Sequence, residues 1–121
     1  MRSKSGTRPT RMAELLRERL ALILLHKVAD PRLRELTITD VEMTPDLKMA
    51  RIFFVLREGS DATQVQTALG KARGFIKQEL AREHMFRVMP EIFFLPDKNF
   101  EQAQRLEKLF QGLPDAEESG A

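Results

Sequence analysis

The hydrophobic positions of the first thirty residues predict an amphipathic helix. Its main apolar row recurs every four residues and consists of Met12, Leu16, Leu20 and Leu24. Pro9 or Thr10 suits the start of this helix, which would run to about Ala29, and Asp30-Pro31 would end it. Leu22 and Leu25 lie off the apolar row, so we expect the helix to be packed on two sides.

Alternating apolar and polar residues then predict a β-hairpin. Leu36 and Ile38 follow one phase of the alternation and Val41 and Met43 follow the other, which calls for a β-bulge between Ile38 and Val41. Residues 44–47 form a turn with proline in its second position. The second strand would direct one set of residues to the core, namely Ala50, Ile52, Phe54 and Leu56, and the other set outward, namely Met49, Arg51, Phe53 and Val55.

The second half of the chain predicts helices around one further strand. Ser60 or Asp61 can cap a helix, whose apolar side carries Val65, Ala68, Leu69 and Ala72. Gly70 and Gly74 interrupt it, and a glycine inside a helix costs about 1 kcal/mol relative to alanine. We therefore predict a kink at residues 72–74, crowded enough that Gly74→Val would disrupt it, and a short separate helix from Phe75. A strand at 89–95 and a last helix, capped by Asp97 or Asn99, complete the order.

This order predicts a single α+β domain, a three-stranded sheet with helices on one face. The domain would span 9–111, between a basic flexible arm at 1–8 and an acidic disordered tail at 112–121. The 121 residues include no cysteine, which excludes a disulfide framework or a cysteine-ligated zinc site. No apolar run is long enough to span a membrane, and the N-terminus does not resemble a signal peptide. We expect a cytoplasmic protein without membrane contact.

Two helices joined near a glycine, with strands on either side, are typical of KH domains, in which a GxxG loop clamps nucleotide backbone. This chain contains no GxxG and has Ala-x-Gly at residues 72–74 instead. In this feature, and in the segments VEMTPDLKMARIFF, ARGFIKQEL and RVMPEIFFLPD, the sequence resembles the ribosome-binding factor A family over roughly residues 8–110. It departs from the family at residues 98–100, where a helix cap led by serine is more usual.

The resemblance implies both a fold and a function. The fold is KH-like, in the order α-β-β-α-kink-α-β-α, with Ala72 and Gly74 forming the kink in place of the GxxG loop. The function is that of a non-catalytic assembly factor that binds the free small (30S) ribosomal subunit and its 16S rRNA. Such factors assist late maturation and processing of the 5′ end of that RNA, and they support growth in the cold.

The basic residues indicate where RNA would bind. Residues 1–35 carry nine Lys and Arg against four Asp and Glu, whereas residues 91–121 carry three against seven. Phosphate contacts by such cations supply affinity without reading sequence. The candidates form two groups, Arg2, Lys4, Arg8 and Arg11 at the front and Lys71, Arg73, Lys77 and Arg82 around the kink. Backbone N–H groups near 74–77 would add a phosphate site, and Lys48 and Arg51 are secondary candidates. The alternative is ordinary surface charge, since Glu79 and Glu83 lie nearby.

Other chemistry finds little support in the sequence. There is no Tyr or Trp, and we expect the eight Phe residues to serve the core, with Phe53 as the possible exception. Binding through phosphate and RNA shape is therefore favoured over base stacking. His26 and His84 have no evident partner, and no phosphate loop or metal-ligand spacing is present. We expect a monomeric non-enzyme without cofactor, metal or small-molecule substrate.

Two further classes of function stay open. A helix-turn-helix protein would place residues 75–84 in a DNA major groove, where Glu79 and Glu83 would face phosphates. A protein-interaction module would use the two-sided first helix to bind its partner. An RRM is disfavoured because its elements follow the order β-α-β-β-α-β.

Overall fold

The structure is a computed structural model that describes residues 8–112. In chain order its elements are α1 (Arg8–His26), a 3-10 helix (Pro31–Glu35), β1 (Leu36–Met43), β2 (Met49–Leu56), α2 (Ala62–Arg82), β3 (Glu91–Pro96) and α3 (Lys98–Gln111). This confirms the predicted α+β class and three-stranded sheet. The predictions for most of the basic arm and the acidic tail, including Arg2 and Lys4, lie outside the described residues.

The sheet has the order β1-β2-β3, with β1 antiparallel and β3 parallel to the central β2. The hairpin turn is closed by the N–H of Leu47, which donates to the carbonyl of Thr44 at 2.8 Å. The register shifts between Ile38 and Asp40, so the predicted β-bulge is confirmed. A parallel pair cannot be joined by a tight turn, and α2 supplies the crossover from β2 to β3.

Helices α1 and α2 cover one face of this sheet and form the core with it. The side chains with less than 2% exposure come from both helices and from the strands, and include Leu16, Leu20, Ile52, Phe54, Ile76, Leu80 and Ile92. The predicted alternation along β2 is confirmed, because Met49 and Arg51 are exposed on the opposite face. Helix α1, however, is packed on one side only, since Leu22 and Leu25 are 44% and 54% exposed.

Helix α2 is one continuous helix of 21 residues, capped by the carboxylate of Asp61, which accepts a hydrogen bond from the N–H of Gln64 at 3.1 Å. The prediction of two separate helices is wrong, and so is the predicted phosphate site, because no helix begins at 74–77. No atom of another segment lies within 4 Å of a Cβ built on Gly70 or Gly74. The predicted crowding at Gly74 is therefore also absent. Burial of Ile76 and Leu80 beyond the glycines offsets their helix cost.

Helix α3 is capped by Asp97, one of the two predicted cap residues, and differs from the other helices in its packing. None of its fourteen residues is buried. It lines an open groove of about 1210 Å³ with Thr37 and Val55 of the sheet. The prediction that phenylalanines serve the core is confirmed for Phe54 but wrong for those that are 37–68% exposed, which are Phe75, Phe93, Phe100 and Phe110. Within residues 8–112, no helix is both long and apolar enough to cross a membrane.

Candidate nucleic-acid interface

The four candidate cations of α2 lie on different sides of the helix. Successive residues turn by about 100°, so Arg73 and Lys77 share one side and Lys71 lies on another. Arg82 is eleven residues beyond Lys71, about 16 Å along the axis, and its guanidinium lies 3.7 Å from the carboxylate of Glu79. The helix therefore does not present them as a single cluster.

Glu91, at the start of β3, joins Arg73 and Lys77. The ammonium of Lys77 donates to Oε1 of Glu91 at 3.0 Å, and a guanidinium nitrogen of Arg73 lies 3.5 Å from Oε2. The hydrogen bond from Lys77, together with the positive charges of Lys77 and Arg73, lowers the pKa of Glu91. Exposed ion pairs of this kind contribute little to stability, because water and salt screen them. Both cations can therefore exchange this carboxylate for a phosphate at little cost.

Three further cations lie at the same end of the molecule. Arg8, Lys48 and Arg87 line a pocket of about 580 Å³ together with Glu91. The backbone also connects them, since the N–H of Glu91 donates to the carbonyl of Lys48 at 2.8 Å. Two acidic residues, Glu91 and Asp46, share this pocket. We call the five cations around Glu91 the Glu91 patch: Arg8, Lys48, Arg73, Lys77 and Arg87.

Sequence reasoning missed two members of this surface. Arg87 follows α2 in an irregular segment, where no periodicity indicates which way a side chain points. Phe93 was expected in the core, but its ring is 37% exposed on β3 and lies 5.7 Å from the guanidinium carbon of Arg73. A cation at this distance from a ring centroid is attracted to the π face. Phe93 and Glu91 together hold Arg73 at the edge of the sheet.

The remaining candidates are distributed elsewhere. Arg11 is exposed on α1, and Arg51 lies 3.3 Å from the carboxylate of Glu42 on the neighbouring strand. His26 and His84 are both exposed, His26 at the end of α1 and His84 in the turn after α2. Among residues 8–112, no three His, Asp or Glu side chains are grouped closely enough to hold a metal ion.

Comparisons with known proteins find one family of similar sequences and structures. The family model described as ribosome-binding factor A matches residues 8–110. A relative of that name from Syntrophus aciditrophicus is 39% identical over 114 residues, which is 93% of this chain and 92% of the relative. The crystal structure of ribosome-binding factor A from Thermus thermophilus matches with a TM-score of 0.65 and 25% identity, over 73% of this chain and 93% of that one. A homology model of the Thermus thermophilus protein, fitted into a cryo-electron microscopy map of its complex with 30S, matches with a TM-score of 0.58 and 26% identity, over 69% and 88% of the two chains.

Proposed function

The chain belongs to the ribosome-binding factor A family, and from this premise we propose that it binds the free small ribosomal subunit through 16S rRNA. In this proposal it assists late maturation of the subunit, including processing of the 5′ end of 16S rRNA. A Thermus thermophilus relative has been fitted into a map of a complex with 30S. We propose the same partner for this protein, and with it a cytoplasmic, monomeric and non-catalytic role.

The observation that carries the proposal is the Glu91 patch. Five cations from α1, the hairpin turn, α2 and the segment before β3 meet at one end of the domain. Because they come from different elements, their spacing is fixed by the fold and not by one flexible segment. Rigidly spaced cations fit the phosphates of a folded RNA, which is recognised largely by shape and backbone. Release of counterions from these phosphates supplies the affinity.

We place Arg11 and the candidates at positions 2 and 4 in the same interface as extensions of the patch. Arg11 is exposed one turn beyond Arg8 on α1. Lys71 and Arg82 lie on a different side of α2 from Arg73 and Lys77 and about 16 Å apart along its axis, so they would contact other parts of the RNA. Arg51 pairs with Glu42 on the outer face of the sheet, and we leave it outside the proposed interface.

Sedimentation with purified ribosomal particles tests this proposal. The protein should pellet with free small subunits, and not with large subunits or whole ribosomes, at low ionic strength. The bound fraction should fall steeply as salt is raised, because each phosphate contact releases counterions. Equal pelleting with all three particles would show non-specific RNA binding only. No pelleting with small subunits at low salt would contradict the proposed function.

One observation favours a second candidate, a protein-interaction module. Leu22 and Leu25 form an exposed apolar pair on the outer side of α1, where a partner protein could bind. Binding through that surface would be insensitive to salt and would not depend on the Glu91 patch. The helix-turn-helix alternative loses its basis, since α2 is a single helix.

A further inference from the structure

A second pocket lies on the side of α2 that faces the end of α1. Its volume is about 330 Å³, at the lower end of the range for ligand pockets. Small apolar residues provide much of its lining, namely Val28, Ala29, Ala68 and Ala72. Val28 and Ala68 are themselves buried, so this lining belongs to the rigid core of the domain. A small planar group could enter between the two helices here.

Phe75 forms a wall of this pocket and is 39% exposed. Its exposed ring is within reach of a ligand that enters the pocket. Nucleobases stack on such rings whatever their identity, because every base has a π face. The exposure of Phe75 therefore removes the objection that this protein has no aromatic side chain available for stacking.

The rim of the pocket is positively charged. Lys71 is exposed on α2, and Lys27, at the end of α1, lies 3.8 Å from a carboxylate oxygen of Glu79. Asp30 is the acidic residue that lines the pocket. Arg32 donates to both oxygens of Asp30, from Nη2 at 2.6 Å and from Nε at 3.0 Å.

The pairing with Arg32 changes what Asp30 contributes to the rim. These hydrogen bonds lower the pKa of Asp30 to about 2, and the positive charges of Arg32 and Lys71 act in the same direction. Asp30 therefore stays ionised at neutral pH, but its charge is offset by the guanidinium beside it. The three cations Lys27, Lys71 and Arg32 outnumber the two carboxylates that pair with them, Asp30 and Glu79, so the rim remains attractive to a phosphate.

We propose that this pocket binds one unpaired nucleotide of RNA, with the base stacked on Phe75 and the adjoining phosphate at Lys71 and Lys27. The inference rests on the proposed rRNA-binding function and deepens it. It adds base stacking to the phosphate contacts of the Glu91 patch. It also revises our expectation that RNA is bound through phosphate and shape alone. A base attached to a phosphate matches both the apolar lining and the cationic rim.

Tryptophan fluorescence tests the stacking directly, because the chain has no Trp and no Tyr. The Phe75→Trp protein should lose emission when titrated with a single-stranded oligoribonucleotide, since a stacked base quenches the indole. Duplex RNA of the same length and inorganic polyphosphate should leave the emission unchanged. The control is Phe110→Trp, at a position 68% exposed on α3, where no RNA should change the emission.

Two substitutions test the energetics of the same site. Phe75→Leu keeps an apolar side chain but removes the ring, and should weaken binding of the single-stranded RNA about 5- to 150-fold. Lys71→Gln should lower the slope of log affinity against log salt by about one contact. Circular dichroism should be unchanged in both variants. Unaltered emission of Phe75→Trp with single-stranded RNA, or equal quenching by polyphosphate, would overturn the inference, as would full affinity of Phe75→Leu.

The failure of this inference is distinguishable from failure of the proposed function. If the wild-type protein pellets with small subunits while Phe75→Trp gives no quenching, the ribosomal role stands and the nucleotide pocket does not. If single-stranded RNA quenches the emission of Phe75→Trp while the wild-type protein does not pellet with small subunits, the nucleotide pocket is supported and the ribosomal role is contradicted.

Discussion

Helices α2 and α3 begin alike and end up in different environments. In each, an aspartate carboxylate caps the helix by accepting a hydrogen bond at 3.1 Å from the backbone N–H three residues later. The acceptor is Asp61 in α2 and Asp97 in α3. Each also carries a lysine that donates to a glutamate of another segment, Lys77 to Glu91 at 3.0 Å and Lys108 to Glu58 at 3.1 Å. Yet α2 buries five residues and α3 buries none.

This difference in burial follows from the elements that precede and follow each helix in the chain. Helix α2 connects β2 to β3, and the pairing of these two strands holds it against the sheet. Helix α3 follows the last strand, so no further strand fixes its far end within the described residues. An apolar stripe thus predicts that a helix forms, but the flanking elements decide whether the stripe is buried.

Truncating a leucine on each helix should give the largest contrast in stability. Leu80→Ala removes a fully buried side chain of α2 and should lower the free energy of unfolding by about 2–5 kcal/mol. Leu109→Ala, at a position 66% exposed on α3, should change it by about 0.5 kcal/mol or less. Urea unfolding followed by circular dichroism measures both. Equal losses would show that α3 is packed as firmly as α2.

Removing the cap of each helix should give a smaller difference in stability, and here the larger loss should occur in α3. Asp97 is buried, and its carboxylate also accepts a hydrogen bond from the hydroxyl of Thr39 on β1. Asp97→Ala should therefore lower the free energy of unfolding by about 1–3 kcal/mol. Asp61→Ala removes a single exposed capping bond and should cost less, about 1 kcal/mol. Urea unfolding measures the free energy of unfolding of both variants. A larger decrease in Asp61→Ala than in Asp97→Ala would refute this account of the caps.

Filling the glycine inside α2 should raise stability. No neighbouring atom obstructs a Cβ at Gly74, so Gly74→Ala should increase the free energy of unfolding by about 0.5–1 kcal/mol. The control is Gly112→Ala just after α3, where a Cβ would make ordinary contacts at 3.5 Å and 3.6 Å with backbone oxygens and where we expect little change. A lower melting temperature for Gly74→Ala would restore the hypothesis of a crowded kink.

Neutralising the glutamate of each lysine pair should give the smallest effect, on RNA binding. Glu91→Gln removes the carboxylate that competes with phosphate for Arg73 and Lys77 and should strengthen RNA binding by up to about fivefold. Glu58→Gln frees Lys108 on α3 and should leave the affinity unchanged. Titration with fluorescently labelled rRNA fragments at low salt compares them. Weaker binding by Glu91→Gln would show that Glu91 positions the cations for RNA.

Much of the fold could be predicted from the sequence, because periodicity and turn chemistry are local signals. The bulge near Ile38, the turn closed at Leu47 and the caps at Asp61 and Asp97 all follow from a few neighbouring residues. The predicted break at Gly74 was wrong. The prediction considered the cost of a glycine in a helix but not the stabilisation that comes from burying Ile76 in the next part of the helix.

The candidate interface was less predictable because it depends on contacts between distant segments. Arg8, Lys48 and Lys77 are far apart in sequence, and only the tertiary structure brings them to the same end of the domain. The exposure of Phe75 and Phe93 could not be foreseen either. Both follow an apolar pattern, and exposure depends on whether another element covers them.

The most direct test of the central claim is small-subunit binding by two matched charge reversals, Lys77→Glu and Lys108→Glu. Each lysine donates to a glutamate of another segment, at 3.0 Å for Lys77 and 3.1 Å for Lys108. The Lys77 pair is the less exposed of the two, so urea unfolding first verifies that both variants are folded. We predict that Lys77→Glu weakens sedimentation with free small subunits and lowers the salt slope by about one or more contacts, while Lys108→Glu binds as the wild type does. Wild-type binding by Lys77→Glu, or an equal loss in both variants, would contradict the assignment of the Glu91 patch as the rRNA-binding surface.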